Sequence, residues 1–261
     1  MSRETKSVTL LDALEGAPMT IKLLQETLGW REKGSDILLS RLVREMSLRG
    51  LLCHAESSGP WYHTTEYRFA RTDKWLPHID LGSISEKEAL ISLARSYLKS
   101  YGPASIEDFA YWAGMRIQEA KPAFDALSDS LVEVTIPEQK RRLLILEEDV
   151  PALLEAKEGP TPVKLLPQFD TLIMGHKDKT RFINPSVRNR IFLPRGDVAA
   201  TLMTEGRVQG VWIFKKMKNL WRIELSPFNR LFKEHIEAIE AEVDLLRRFT
   251  GFQIESIWKE P

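Results

Sequence analysis

Apolar positions along this chain fall into helical and strand periods that come in a repeating order. Leu38, Leu39, Leu42, Val43 and Met46 recur at the three- and four-residue spacing of a helix buried along one face, with Ser40, Arg41, Arg44 and Ser47 opposite. Upstream, residues 8–14 predict a short helix ended by Gly16. Ile21–Leu28 predicts a second, with Thr20 as its N-cap and Gly29 as its stop. The third runs from a cap at Ser35 or Asp36 to Arg49, and Gly50 ends it. Residues 51–54, the turn-like stretch 56–60 and residues 62–70 then read as a β-ribbon. Three short helices followed by a ribbon predict a winged helix over residues 1–80.

The order repeats over residues 81–160. Ser85 opens a helix through Tyr101, Gly102-Pro103 breaks it, and Ser105 caps a helix from Ile106 that Gly114 ends. Residues 116–127 form the next helix. Residues 131–136 and 141–146 form a second ribbon, and a short helix over 149–156 leads to a linker at 158–162. Residues 161–261 change character. Segments 163–169, 182–184, 191–193, 207–215 and 220–225 predict strands, with tight turns at Glu205-Gly206 and Lys218-Asn219. Leu231, Ile236, Ile239, Val243 and Leu246 then mark a helix over 230–249. The expected fold is α+β: two tandem winged helices, then a β-rich, barrel-like module with a C-terminal helix.

Charge sharpens this outline. The 261 residues carry 37 basic and 37 acidic side chains, a net of zero. Residues 1–162 hold 20 basic and 25 acidic groups, 163–222 hold 12 and 4, and 223–261 hold 5 and 8. A segment of net +8 inside a neutral chain suits a phosphate-facing surface. The alternative is that its cations pair with the acidic segments. No apolar run is long enough to span a bilayer, and no signal peptide is evident, so a cytoplasmic location without membrane contact is expected. The single Cys53 excludes an internal disulfide and a cysteine-built zinc site. His54, His63, His78 and His235 show no metal spacing, so no cofactor is expected.

The candidate chemistry lies in the basic segment. His176, Lys177, Lys179 and Arg181, with Arg188 and Arg190 beyond, form a cationic loop. Lys215, Lys216, Lys218 and Arg222 surround the tip of a hairpin whose strands carry Trp212 and Trp221. These cations suit phosphates, and the tryptophans either stack on bases or fill a core. Arg41 and Arg44 of the first block either reach a DNA groove or are solvated. Asp170 and Asp178 form a carboxylate pair for acid–base work with His176, or else Asp170 caps a turn and Asp178 orients the basic loop through Lys179 or Arg181.

Three stretches carry a resemblance: RSYLKSYGPASIEDFAYWAGM at 95–115, LLPQFDTLIMGHKDKTRFI at 165–183, and IFLPRG with TEGRVQGVW between 191 and 212. In this order they resemble winged-helix DNA-binding proteins related to the bacterial interstrand-crosslink glycosylases AlkZ and YcaQ. That resemblance implies double-stranded DNA, damaged or undamaged, as partner, and a basic hairpin that faces it. It also implies an N-terminal winged helix bearing a catalytic Gln-apolar-Gln or Gln-apolar-Asp motif, whereas this sequence starts at what resembles the family's second winged helix. Its one such triplet, Gln168-Phe169-Asp170, falls in the LLPQFD stretch and is not equated with that motif. The expectation is a DNA-binding protein that is non-catalytic on its own. The alternatives are an active DNA glycosylase, with Asp170, His176 or Asp178 as its acid–base groups, and a winged-helix module that binds a protein partner not identified from sequence.

Overall fold

The computed structural model of the protein describes residues 3–30, 35–57, 67–136, 141–156, 163–217 and 220–260. The chain divides into two compact units, Met1–Ser85 and Glu86–Pro261. In the first unit, α1 (Arg3–Ala13), β1 (Met19–Thr20), α2 (Ile21–Leu28) and α3 (Ser35–Leu48) precede β2 (Leu52–Ser57), β3 (Tyr67–Arg71) and the single turn α4 (Thr72–Trp75). The Thr20 side chain accepts the Leu23 N–H at 3.2 Å to start α2, and Gly29 ends it in the left-handed region at φ 63°. The strands order as β1-β3-β2 and are antiparallel throughout. Leu10, Leu14, Leu24, Leu39, Leu42, Val43, Met46 and Leu52 form the core, and Leu38 packs at its margin. Helix α1 starts five residues before the expected position 8, because its first turns are polar and leave no apolar period.

The second unit opens with α5 (Glu86–Tyr101), α6 (Ile106–Ala113) and α7 (Ile117–Ala126), followed by the antiparallel pair β4 (Leu131–Val134) and β5 (Leu143–Leu146) and by α8 (Val150–Glu155). Tyr97, Leu98, Phe109, Ala120, Phe124 and Leu146 are buried together here. The anticipated turn after 136, the linker at 158–162, the turn at Lys218-Asn219 and most of the first ribbon's connection lie outside the described residues.

A single sheet organises the rest. β6 (Lys164–Leu166) leads through the one-turn helices α9 (Thr171–Met174) and α10 (Arg188–Ile191) to β7 (Thr201–Thr204), β8 (Arg207–Lys216) and β9 (Trp221–Pro227). Helix α11 (Lys233–Thr250) and β10 (Ile254–Trp258) complete it. The strand order is β10-β9-β8-β7-β6, antiparallel except for the parallel pair β10–β9. On one face Leu202, Ile223, Leu225 and Ile254 pack with Ile239 and Val243 of α11. On the other, Met203, Val208 and Phe228 pack with Ile173, Ile183, Ile191 and Val198.

Two expectations are corrected here. The sheet is open, with β6 and β10 as its edges, and does not close into a barrel; both faces are covered by other elements, so neither is turned in on itself. Segments 182–184 and 191–193 are not strands. Residues 182–184 form a bend that leads into a 3-10 turn at Pro185, capped by Asn184, and Ile191 ends α10. Each buries one isoleucine from a turn, and short apolar runs do not distinguish that from a strand. In contrast, Glu205-Gly206 makes the expected tight turn between β7 and β8, with φ 50° and 69°.

Gly210 occupies the crossing of β8 and β9, where an added Cβ would stand 2.8 Å from both the Pro227 Cα and the Ser226 carbonyl oxygen. Both obstacles are backbone atoms that cannot swing away. Gly210→Ala is expected to destabilise the fold by about 2 kcal/mol, read as a lower urea midpoint with an unchanged m-value.

Candidate functional site

The site is built from a helix start. Ser105 Oγ accepts the Asp108 N–H at 3.1 Å, and Asp108 Oδ2 accepts the Ser105 N–H at 3.0 Å and its hydroxyl at 2.7 Å, a reciprocal capping box on α6. This leaves the second carboxylate oxygen aimed at residues far along the chain. Asp108 Oδ1 accepts the N–H groups of Lys177 and Asp178 at 2.7 and 3.2 Å. Burial raises the Asp108 pKa, but these donors outweigh it, and the carboxyl lies below its ordinary value. Tyr97 of α5 completes the attachment by donating its hydroxyl to the Gly175 carbonyl at 2.8 Å. Burial pushes that hydroxyl well above the usual tyrosine range.

Pinned in this way, the 175–183 turn sorts its charged side chains between interior and solvent. His176 is 2% exposed; its Nε2 lies 2.9 Å from the Tyr101 carbonyl and also contacts the Arg181 guanidinium. Burial, then Arg181, hold its pKa below the usual histidine value. Lys179 is 4% exposed, donates to the His176 carbonyl, and sits over the Tyr111 and Phe192 rings at 4.9 and 5.3 Å. Burial and then Arg188 bring it down to about 8, against the pull of Asp108. The half-buried Arg181 donates to the Pro103 carbonyl at 3.0 Å, and burial lowers its pKa. These three groups hold the turn together.

Lys177, Arg188 and Arg190 remain exposed, outside the ion pairs formed among the described residues. Arg188 lies over Phe192 at 4.7 Å and Arg190 over Phe228 at 4.4 Å. The strands divide their cations similarly. Lys215 pairs with Glu224 at 2.7 Å, Arg222 with Glu255 at 3.0 Å and Lys164 with Glu242 at 2.8 Å. Lys259 joins Glu224 at 2.8 Å, and the two lysines lower the Glu224 pKa to about 2. Lys216 is exposed over the Trp221 ring at 5.6 Å, and Lys218 lies outside the described residues. Trp221 stacks between Phe214 and Phe252, while the Trp212 indole N–H donates to the Leu166 carbonyl at 2.9 Å, so both serve the sheet. In the first unit Arg41 and Arg44 are exposed on α3 beside Asp36, Ile37 and Ser40.

The two candidate carboxylates each belong to their own turn. Asp170 caps α9 by accepting the Leu172 N–H at 2.9 Å, and Asp178 accepts the N–H and hydroxyl of Thr180 at 3.0 and 2.7 Å rather than pairing with Lys179 or Arg181. Those Thr180 donors, the backbone one first, hold the Asp178 pKa below its ordinary value. The residue that sequence reasoning passed over is Asp108. Its signal was the Ser105-x-x-Asp108 spacing, which marks a cap and not the reach to Lys177.

Two buried groups of the turn and its anchor contribute to the pH dependence. The folded chain resists protonating His176, so stability falls as the pH drops below about 6.5, where the unfolded chain takes up that proton. Asp108 contributes stability above about pH 4 that is lost as the pH falls toward its lower folded value. Urea midpoints from pH 7 to pH 3 are expected to lose the upper component in His176→Gln and to show a smaller acid-side loss in Asp108→Asn, where Asp178 and Glu224 still contribute. The second variant should also cost about 2–4 kcal/mol at pH 7, because the Ser105, Lys177 and Asp178 donors lose a charged acceptor.

The family described as DNA glycosylase AlkZ-like matches residues 5–249. An interstrand DNA cross-link repair glycosylase of Streptomyces sahachiroi is 27% identical over 218 residues, 80% of this chain and 54% of that protein. The chain thus spans about half the length of that curated relative. The solved structure of the Streptomyces sahachiroi DNA glycosylase AlkZ is similar in fold, with a TM-score of 0.73 at 23% identity, covering 97% of this chain and 69% of that one. Matched by that family from residue 5 to residue 249, nearly its whole length, the chain belongs to the AlkZ-like DNA glycosylase family.

Proposed function

We propose that the protein binds double-stranded DNA through the exposed cations Lys177, Arg188, Arg190 and Lys216, and that it does not excise a base with Asp170, His176 or Asp178. The observation that carries this reading is the sorting of charge in the 163–222 segment. Lys179 and Arg181 are consumed inside the turn, and Lys215 and Arg222 face carboxylates. Lys177, Arg188 and Arg190 are left at the surface outside the observed ion pairs. Exposed cations in a neutral chain suit phosphates and give a modest, salt-sensitive affinity.

Arg41 and Arg44 add a second contact. Helices α1–α3 with the β1-β3-β2 sheet read as a winged helix whose α3 faces the groove, and α5–α7 with β4–β5 read as a second. The proposed modules are residues 1–80, 81–160 and 161–261. Against base excision stand the engagements of the three acid–base candidates: Asp170 in a cap, Asp178 with Thr180, and His176 buried against Tyr101 and Arg181. The relative's role in repairing cross-links directs the choice of substrate, and DNA repair is the setting proposed for this chain.

A salt series of gel retardation on intact and cross-linked duplex tests the reading. Arg188→Ala with Arg190→Ala should flatten the slope of log affinity against log salt by about 1.8, two phosphates' worth. Lys215→Ala, which removes a cation already paired with Glu224, should leave the slope nearly unchanged. A larger effect from Lys215→Ala than from the arginine pair would refute the assignment. Base release from alkylated duplex at stoichiometric protein, abolished in Asp178→Asn, would establish the catalytic alternative.

A further inference from the structure

Three non-glycine residues among those described have positive φ: Phe169 at 58°, Arg195 at 68° and Glu205 at 50°. Glu205 is explained by the two-residue hairpin turn it makes with Gly206. The other two also stand in tight turns, Arg195 directly before Gly196 at φ 85°. Phe169 is the third residue of a turn closed by the Asp170 N–H on the Pro167 carbonyl at 3.2 Å, a position with a left-handed backbone that favours glycine. Arg195 stands at the tip of a loop closed by the Leu193 N–H on the Asp197 carbonyl at 2.8 Å. A bulky side chain in the left-handed region is strained, and such strain persists where the surrounding structure over-determines it.

The two loops are joined. The Phe169 N–H donates to the Val198 carbonyl at 3.3 Å, and Val198 bridges Phe192 at the base of the Arg195 loop. Neither residue belongs to the core: Phe169 is 45% exposed and Arg195 is exposed. Two adjoining turns therefore carry, at left-handed positions that favour glycine, an exposed aromatic residue and an exposed arginine. A ring held out on a pinned turn can stack on any base, and a neighbouring cation can hold the phosphate beside it.

The geometry points to a nucleotide clamp formed by Phe169 and Arg195, which takes an unstacked nucleotide of the DNA between base and phosphate. This inference rests on the DNA-binding reading above and adds to it a preference for duplex with an unpaired nucleotide. Phe169 supplies the stacking and so the preference, and Arg195 supplies phosphate affinity without preference.

Glycine substitutions make the test sharp, because glycine removes the side chain while suiting the backbone. Phe169→Gly and Arg195→Gly should melt at or above the wild-type temperature. Binding is compared on two duplexes of one sequence, fully paired or with a single unpaired 2-aminopurine. Wild type should favour the second duplex and quench its fluorescence. Phe169→Gly should lose about tenfold on that duplex, little on the paired one, and the quenching; Phe169→Trp should restore all three. Arg195→Gly should weaken both and flatten the salt slope by about 0.9. Unchanged preference in Phe169→Gly, or a lowered melting temperature showing that the ring serves the fold, overturns the clamp. Wild-type binding that ignores the unpaired nucleotide overturns the clamp alone, whereas failure to bind either duplex overturns the DNA reading along with it.

Discussion

The carboxylate of Asp108 is the constraint on which the basic turn depends. One oxygen is held by Ser105 within a helix cap, and the other takes two backbone N–H groups from residues 177 and 178. A buried carboxylate with four donors is favourable as an anion, and a buried anion sets the sign of what stands nearby. Lys179 and Arg181 are tolerated in the interior because Asp108 offsets part of their burial, and both feel its attraction. The cap of one helix thus determines how a segment some seventy residues later sorts its charge.

That sorting changes what the net +8 of residues 163–222 means. Three of its cations, Lys164, Lys215 and Arg222, are matched by Glu242, Glu224 and Glu255 from the acidic segment that follows. The paired-charge account therefore holds for these three residues, and the phosphate-facing account applies only to the cations outside such pairs. What faces solvent is a smaller set of cations, several of them laid on aromatic rings that restrict where they point.

The local grammar of the fold was legible from the residues. Thr20, Gly29, Ser105, Gly114 and Gly206 each mark a cap or turn through their own chemistry and stand where that chemistry requires. Long-range structure was not. Strands β7 and β10 carry no clean alternation, because β7 is buried on both faces and β10 is a short edge. Segments 182–184 and 191–193 read as strands because one buried isoleucine among turn residues gives no period. For the candidate site, sequence located the basic turn but not its division into interior and surface: Lys177 and Lys179 are two residues apart, one exposed and the other buried. Nor does any composition signal mark a phenylalanine or an arginine held at positive φ.

The open sheet has one more consequence. A chain with no net charge and a pI near 7.0 has little electrostatic repulsion to keep its copies apart at neutral pH. An open sheet presents two edges able to pair with a neighbour's. Here one edge is the three-residue β6, beginning at Lys164, and the other the five-residue β10, carrying Glu255 and followed by Lys259. The longer strands β8 and β9 lie inside. Short, charged edges thus take over the colloidal role that net charge plays in strongly acidic or basic proteins, without requiring the whole chain to carry one sign of charge.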